Sequence, residues 1–196
     1  MVNTKSFAVR HLFAILILSA AGFAQTSALS CTTAAWSAHA TVDQSPLLWK
    51  NRDTDGDHNQ VVFADQKPYK YLGLGDSGDG ARRGVFAGLN AAGFSIFNTV
   101  AYNLPHLESE AADREGLIMA EALRSVASVD EFEHFLVANM GPGLGAKTNF
   151  VVGDATGAIW VFEVHNHGYS KYPVHTKPEG YNVVTNFSLS GAVGAG

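Results

Sequence analysis

Ser27-Ala28-Leu29-Ser30-Cys31-Thr32-Thr33 is the stretch around which this 196-residue sequence is organised. It follows an apolar run and contains the only cysteine of the chain. If the chain is cut between Ser30 and Cys31, the shortened protein begins with a residue that carries both a thiol and a free α-amine. Such a residue combines a potential nucleophile with its own base.

The first 30 residues have the pattern of an export signal. A basic start precedes the apolar run Leu12 to Phe23, which is too short for a comfortable membrane span. Ala28 and Ser30 are small residues at the two positions where signal peptidase requires them. The sequence therefore predicts a signal peptide over 1–30, cleaved directly before Cys31.

Two alternatives to this cleavage remain open. A cut after Ala24 would leave six additional residues, and a lipid could be attached to Cys31, because that cysteine follows a signal. Each alternative keeps the prediction of export, so we expect a secreted or periplasmic protein. No stable membrane insertion is expected once the signal has been removed.

Residues 31–196 have the size and composition of one globular domain. The whole chain is 46% hydrophobic and 16% charged, which is typical of a folded protein. Of its 13 basic residues two lie in the first 30, so the domain has 11 bases against 18 acids, or about −7. This charge excludes a nucleic-acid backbone as the expected partner, because such binding needs clustered Lys and Arg.

The lone cysteine cannot form a disulfide within the chain. Exported proteins usually pair their cysteines, so Cys31 is a free reactive thiol, an intermolecular link or a small buried side chain. Its position at the expected new terminus favours the reactive thiol, since a chain terminus is seldom part of a core.

Short strands dominate the predicted domain. A strand over Cys31–Val42, a turn at 43–46 and a strand that resumes at Leu47 form a hairpin, which would bring Asp53 back beside Cys31. Further strands are predicted at 61–63, 69–72, in two parts of 85–100, at 150–153, at 158–164 and at 181–187.

Two helices interrupt the strands. An apolar stripe at helical spacing predicts a helix over Ala111–Ala127, and the capping box at Ser128 begins a second helix that ends near Asn139. Strands, then two helices, then strands indicate an α+β fold with helices laid on a largely antiparallel sheet.

Three weaker motifs do not support a cofactor or a metal. Gly73–Gly78 matches the dinucleotide pattern GxGxxG, but no helical period follows it, so a turn-rich loop is predicted. The acidic loop that starts at Asp53 lacks the glycine and the glutamate of a calcium loop. His165 and His167 could ligate a metal, but the sequence offers no third ligand beside them, so a solvated loop is predicted.

The chemistry expected of an N-terminal cysteine needs three further groups. The α-amine, with a pKa near ~8, can accept the thiol proton and later pass it to a leaving amine. Asp53 is suited to hold that amine, and Asn98 and Asn186, each at a strand end, are suited to donate to the tetrahedral oxyanion. A cation near the thiol would favour its ionised form.

Four stretches follow one another along the chain: Cys31-Thr32, Trp49–Asp53, Gly88–Phe94 and Thr185-Asn186-Phe187. In this order they resemble the N-terminal-nucleophile hydrolases of the choloylglycine hydrolase and penicillin V acylase group, and the related acyl-coenzyme A:6-aminopenicillanic acid acyltransferases. The resemblance implies a four-layer αββα sandwich that hydrolyses linear amide bonds or transfers their acyl groups.

The resemblance also implies roles for individual residues. Cys31 would be the nucleophile, Asp53 the residue that holds the α-amine, and Asn186 the oxyanion asparagine of the later strand. Asn98 lies close to the position of the other family asparagine. Arg52 stands directly beside the aspartate and is also a candidate catalytic residue.

The sequence departs from the family in three ways, the first of which is a hairpin that is a few residues longer than usual. Bile-salt hydrolases carry an arginine three residues before the aspartate, and here that residue is Lys50, which cannot make the forked contacts of a guanidinium. The family also has more than a hundred further residues, so we expect this domain to be partial and its fold to be incomplete at the C-terminus.

Other functions remain open beside an amidohydrolase or acyltransferase with a small-molecule amide substrate. A non-catalytic secreted binding domain and a lipid-anchored envelope protein of the same fold are the alternatives. An open sheet edge in a partial fold could also pair with another chain, so a homo-oligomer is possible.

Overall fold

The computed structural model describes residues 30–54, 58–76, 84–105 and 113–192, which form two antiparallel sheets and two helices. The strands are β1 Thr32–Trp36, β2 Leu47–Asn51, β3 Asn59–Ala64, β4 Tyr71–Asp76, β5 Ala87–Asn90, β6 Ser95–Val100, β7 Thr148–Gly153, β8 Ile159–His165, β9 Gly168–Pro173 and β10 Tyr181–Val184. The helices are α1 Glu115–Ser125 and α2 Val129–Asn139, with a 3-10 turn at Ala38–Ala40.

The large sheet has the strand order β3-β4-β5-β6-β7-β8-β9 and carries the main core on one face. Both helices pack on that face, and Phe132 of α2 lies at the centre, with its ring 5.3 Å from that of Phe162 and 5.8 Å from that of Phe150. α2 begins as predicted, because the Ser128 side chain accepts a hydrogen bond from the amide of Glu131.

The small sheet, of order β10-β1-β2, packs on the opposite face of the large sheet. β1 and β2 pair antiparallel, with Thr32 opposite Asn51, so the predicted hairpin is present. A second, smaller core between the sheets includes Ala35, Val161 and Val184. The described residues therefore form three layers, in the order helices, large sheet, small sheet.

The small sheet covers only part of the large one. β10 packs against β7 and β8, and β1 contacts β6. β2 is the edge strand of the small sheet and reaches β6 through Lys50. Strands β3, β4 and β5 consequently extend beyond β2 among the described residues.

The structure corrects several details of the predicted elements. The first strand ends at Trp36, not Val42, because the 3-10 turn follows it. The loop predicted at Gly73–Gly78 is partly strand: Gly73 and Gly75 belong to β4, where a Cβ at Gly73 would lie 2.6 Å from Val85. The sequence analysis missed β9, an edge strand.

The other predicted helices and strands are present in the structure, some with different ends. The strands on either side of the turn at Asn90, the hairpin of β7 and β8, and both helices are present, and every paired strand among the described residues is antiparallel. The helix predicted over 111–127 is shorter, since α1 spans Glu115–Ser125, and the strand predicted over 181–187 ends at Val184. Residues 111–112 and residues 1–29 of the predicted signal peptide lie outside the described residues. Within the described ranges, no helix is long and apolar enough to cross a membrane.

Candidate active site

A cavity of about 560 Å³ opens where the ends of β1, β2, β4 and β6 meet the first turn of α1. Four of the five candidate residues from the sequence line it, namely Cys31, Arg52, Asp53 and Asn98. Its other charged lining residues are Lys50, Asp76, Asp113 and Glu115. The cavity is therefore rich in ionisable groups around the lone thiol.

Cys31 lies half-buried immediately before β1, beside the end of β2. Its Sγ is 3.7 Å from the backbone oxygen of Asp53. The carboxylate of Asp53 accepts a hydrogen bond of 3.0 Å from the backbone N–H of Ser30, one residue before the cysteine. The hairpin thus brings Asp53 to within one residue of the peptide bond that the predicted cleavage would break.

Lys50 projects from β2 into the interior and is the buried cation of the cavity. Its Nζ donates to the backbone oxygen and to the side-chain Oδ1 of Asn98, the latter at 3.1 Å. Burial lowers the pKa of Lys50 to about 8, Cys31 acts to raise it, Arg52 to lower it and Glu115 to raise it. The ammonium is thus close enough to Cys31 to interact electrostatically with its thiol.

Glu115, in the first turn of α1, is a buried carboxyl that the sequence analysis did not select. Its Oε2 accepts from the amide Nδ2 of Asn98 at 3.0 Å, and its Oε1 accepts from the backbone N–H of Lys147 at 3.1 Å. Burial raises the pKa of Glu115 to about 7, with a further increase from the carboxylate of Asp113. Hydrogen bonds from Lys147, Thr148 and Asn98 act in the opposite direction.

A sequence signal for Glu115 does exist. The residue lies on the same helical face as Ile118, Met119 and Ala122, all of which are buried in α1. An acidic residue at helical spacing with an apolar stripe is unusual, because burial of a charge is costly without partners. The polar partners are supplied by strands distant in sequence, which the pattern cannot show.

Asn98 connects the two ionisable groups. Because a carboxylate accepts and an ammonium donates, the amide must present Nδ2 to Glu115 and Oδ1 to Lys50. Its described contacts are with these two residues and not with Cys31. The predicted role of Asn98 as an oxyanion donor stays a prediction.

Arg52 lines the cavity but is engaged with the large sheet. Its guanidinium donates to Asp76 at 3.1 Å and to Asn59 at 2.9 Å, and it lies 4.0 Å from the ring centroid of Phe86. These contacts join the end of β2 to β3 and β4. A catalytic role for Arg52 stays a prediction.

Asn186 is buried behind the cavity and is not one of its lining residues. Its Nδ2 donates to the backbone oxygen of Val100 at 2.9 Å, and its Oδ1 has no hydrogen-bond partner. β1 pairs with β10 with Thr33 opposite Val184, so the same register continued by two residues would place Asn186 opposite Cys31. The oxyanion role of Asn186 is likewise untested.

The weaker motifs add no metal site to the described part of the chain, where no cluster of three or more His, Cys, Asp or Glu residues could hold a metal ion. His165 ends β8 and His167 lies in the turn to β9, where its ring approaches the amide of Asn166. The centre of the acidic loop after Asp53, residues 55–57, lies outside the described residues.

No protein-family model matches the chain, and no curated protein sequence matches it. Solved structures do share its fold. A variant of conjugated bile acid hydrolase from Clostridium perfringens superposes with a TM-score of 0.53 at 16% identity, covering 77% of this chain and 52% of that one.

A Caenorhabditis elegans ortholog of N-acylethanolamine-hydrolyzing acid amidase superposes with a TM-score of 0.54 at 14% identity, over 81% of this chain and 70% of that chain. The chain thus spans about half the length of the bile acid hydrolase. At these identities the likeness concerns the fold, and it confirms the fold that the resemblance predicted. This chain therefore shares its fold with conjugated bile acid hydrolase and with the acid amidase ortholog.

Proposed function

We propose that this chain is an exported hydrolase that cleaves a linear amide bond of a small molecule through an acyl-enzyme on Cys31. The observation that carries the proposal is the convergence of three groups on one cavity: the lone thiol, the Asp53 carboxylate beside the predicted new terminus, and the buried Lys50 ammonium. The shared fold supports the reaction class.

The proposed reaction has two balanced stages. The α-amine of Cys31 accepts the thiol proton, and the thiolate attacks the amide carbonyl to form a tetrahedral intermediate. The carbon–nitrogen bond then breaks, and the leaving amine takes the proton from the α-ammonium. Water attacks the resulting thioester and gives one proton to the α-amine. The carbon–sulfur bond then breaks and the carboxylic acid is released. The thiolate takes the proton back from the α-ammonium, which restores the thiol.

Asp53 is assigned to hold the new α-amine. In the uncleaved chain its carboxylate already accepts from the N–H of Ser30, one residue upstream of the nitrogen that cleavage would free. A small shift of the new terminus would replace a neutral donor by a charged one, and charge-assisted hydrogen bonds are roughly twice as strong as neutral ones. Asp53 would then orient the amine toward Sγ.

Lys50 is assigned to stabilise the thiolate, and Asn98 and Glu115 to position Lys50. The cation is buried, so its attraction for a developing negative charge is less screened than in water. Asn98 fixes the ammonium through two oxygens, and Glu115 fixes the amide of Asn98. Asn186 is proposed as the oxyanion donor through the second N–H of its amide.

The first experiment determines the mature terminus and the activity together. Intact mass of the exported protein should give a chain that begins at Cys31, and that protein should release the fluorescent amine from N-acyl aminomethylcoumarin substrates. Cys31→Ala should abolish this release. A mature form that starts at Gln25, a lipid adduct on Cys31, or turnover that survives Cys31→Ala would each contradict the proposal.

A blocked terminus separates the N-terminal mechanism from an ordinary cysteine hydrolase. One alanine placed before Cys31 in the mature protein keeps the thiol but removes the amine from its position. We expect loss of turnover with the fold retained. Release of a hydroxamate when hydroxylamine is added would show acyl transfer from the same intermediate.

A further inference from the structure

A row of buried polar side chains crosses the large sheet on the face that the small sheet covers. Asn149 of β7 stands directly opposite Thr99 of β6 on one side and Glu163 of β8 on the other. All three residues are almost completely buried. Glu163 shares its face of β8 with Val161, a member of the second core, so the row lies between the two sheets. We call Thr99, Asn149 and Glu163 the polar row.

The chain that follows β10 runs along the polar row and supplies its hydrogen-bond partners. Thr99 and Asn149 both donate to the backbone oxygen of Thr185, at 2.7 and 3.1 Å respectively. The side-chain Oδ1 of Asn149 also accepts from the hydroxyl of Ser188. Because a buried polar group without a partner is costly, these contacts hold the chain in place as well as satisfying the row.

Glu163 binds this segment at its far end. Its Oε1 accepts from the backbone N–H of Leu189, and its Oε2 accepts from that of Ser190 at 2.8 Å. Both oxygens of the buried carboxylate are thus occupied by two consecutive backbone groups, and hydrogen bonds to a charged acceptor are stronger than neutral ones. Glu163 does not line the cavity, so it acts on the candidate active site through the segment that it binds.

Asn186 lies inside this segment, between the anchored residues Thr185 and Ser188. Among the described residues its side chain makes one hydrogen bond, from Nδ2 to the backbone oxygen of Val100. A single bond does not fix the direction of an amide, so that direction depends on the backbone that carries the side chain. The backbone oxygen of Asn186 accepts from the N–H of Tyr102 at 2.8 Å, and the polar row holds the chain on either side.

We propose that Asn149 and Glu163 are positioning residues that aim the Asn186 amide at the carbonyl oxygen of a substrate bound to Cys31. The pairing of β10 with β1 ends at Val184, two residues before Asn186. Beyond that point the polar row replaces the strand ladder as the support of the chain. The inference rests on the oxyanion role proposed for Asn186, but the position of that amide can be measured without turnover.

The test compares Glu163→Gln with the parent in the full protein. Glutamine has the shape of glutamate but turns an N–H toward Leu189 or Ser190, so one of the two contacts is lost. In a nitrogen–proton correlation spectrum the side-chain resonance of Asn186, assigned by its absence in Asn186→Asp, should shift. With N-acyl aminomethylcoumarin substrates kcat should fall about tenfold and KM should stay nearly unchanged. This is part of the roughly 100- to 1,000-fold loss expected when an oxyanion donor is removed.

Glu133 provides the matched control. Its carboxylate, on α2, accepts from Tyr169 and Lys171 of β9 on the opposite face of the large sheet. Glu133→Gln therefore also loses a carboxylate contact but leaves the segment after β10 untouched. It should move neither the Asn186 resonance nor kcat.

Ser188→Ala separates position from charge, since it removes the contact with Asn149 and leaves the charged groups in place. It should shift the Asn186 resonance and lower kcat as well, and it serves as the test variant if Glu163→Gln does not fold. An unchanged Asn186 resonance in the folded variants, or an equal shift in Glu133→Gln, would overturn the inference. An unchanged kcat in Glu163→Gln, with a parent that turns over substrate, would also overturn it. A parent without turnover would refute the proposed function, while the resonance still decides what positions the amide.

Discussion

Replacing Glu115 with glutamine removes the buried ionisable carboxyl of the cavity while keeping nearly the same shape. The pKa of Glu115 is raised from 4.5 to about 7, mainly by burial. Between these two pH values the folded protein binds more protons than the unfolded chain, so the free energy of unfolding falls as the pH rises through this window. Below about pH 4.5 the ionisation of Glu115 does not lower the free energy of unfolding, and above about pH 7 the whole loss is present.

The size of the effect follows from the pKa difference. A change from 4.5 to about 7 corresponds to roughly 3 kcal/mol in the free energy of unfolding. Glutamine cannot ionise, so Glu115→Gln should lack this pH dependence. It loses one of the two acceptor contacts with Asn98 and Lys147, which costs about 1–3 kcal/mol at every pH.

The two effects predict a reversal of relative stability. At pH 4.5 the variant should be less stable than the parent by the cost of the lost contact, and by pH 8 the difference should have moved by roughly 3 kcal/mol in favour of the variant. Urea unfolding followed by tryptophan fluorescence from pH 4.5 to 8 measures this difference. Glu121→Gln, on the same helix, is the control.

Parallel pH profiles for the parent and Glu115→Gln would refute the reasoning. That result would mean that Glu115 has the same proton affinity in the folded and unfolded states, and that its burial does not control its ionisation. A slope that disappears equally in Glu121→Gln would show that the pH dependence does not come from this site.

Three further substitutions test other parts of the structure. Lys50→Met should slow alkylation of Cys31 by iodoacetamide about tenfold at pH 7, because it removes a buried cation near the thiol, whereas Lys50→Arg should keep most of the rate. Asn90→Ala should lower the free energy of unfolding by about 3 kcal/mol. The Asn90 side chain makes four buried or partly buried hydrogen bonds with backbone groups, and these tie the β5–β6 turn to the end of α1. A loss below about 1 kcal/mol in urea unfolding would contradict this prediction. Ser128→Ala should cost about 1 kcal/mol by the same measurement, through loss of the cap of α2, and unchanged stability would show that the cap is not needed.

Local patterns predicted the elements that build the site. The turn chemistry between Val42 and Leu47 predicted the hairpin that brings Asp53 beside Cys31, and the capping box predicted the start of α2 at the correct residue. These signals work because a turn or a cap depends on residues within a few positions of one another. The same locality explains the missed strand β9, whose pairing with β8 gives little signal in its own composition.

The ordered resemblance to amide hydrolases predicted the fold, which the structural likeness confirms, but it did not select Glu115. Asn98 was selected as an oxyanion donor, a role that stays a prediction, and the structure adds that its side chain holds Lys50 with one atom and Glu115 with another. Residue type alone could not distinguish these roles, since an amide donates and accepts equally well.

The sequence by itself determined that the chain has a single cysteine, that a hairpin returns an aspartate to it, and that helices and antiparallel strands form the domain. The export signal before that cysteine stays a prediction. Only the tertiary structure decided that Lys50, Asn98 and Glu115 meet in the cavity that the cysteine lines. The physical reason is that packing two sheets and docking α1 on one of them joins residues far apart in the chain. The charges of such residues change each other's proton affinity strongly only once water has been excluded between them.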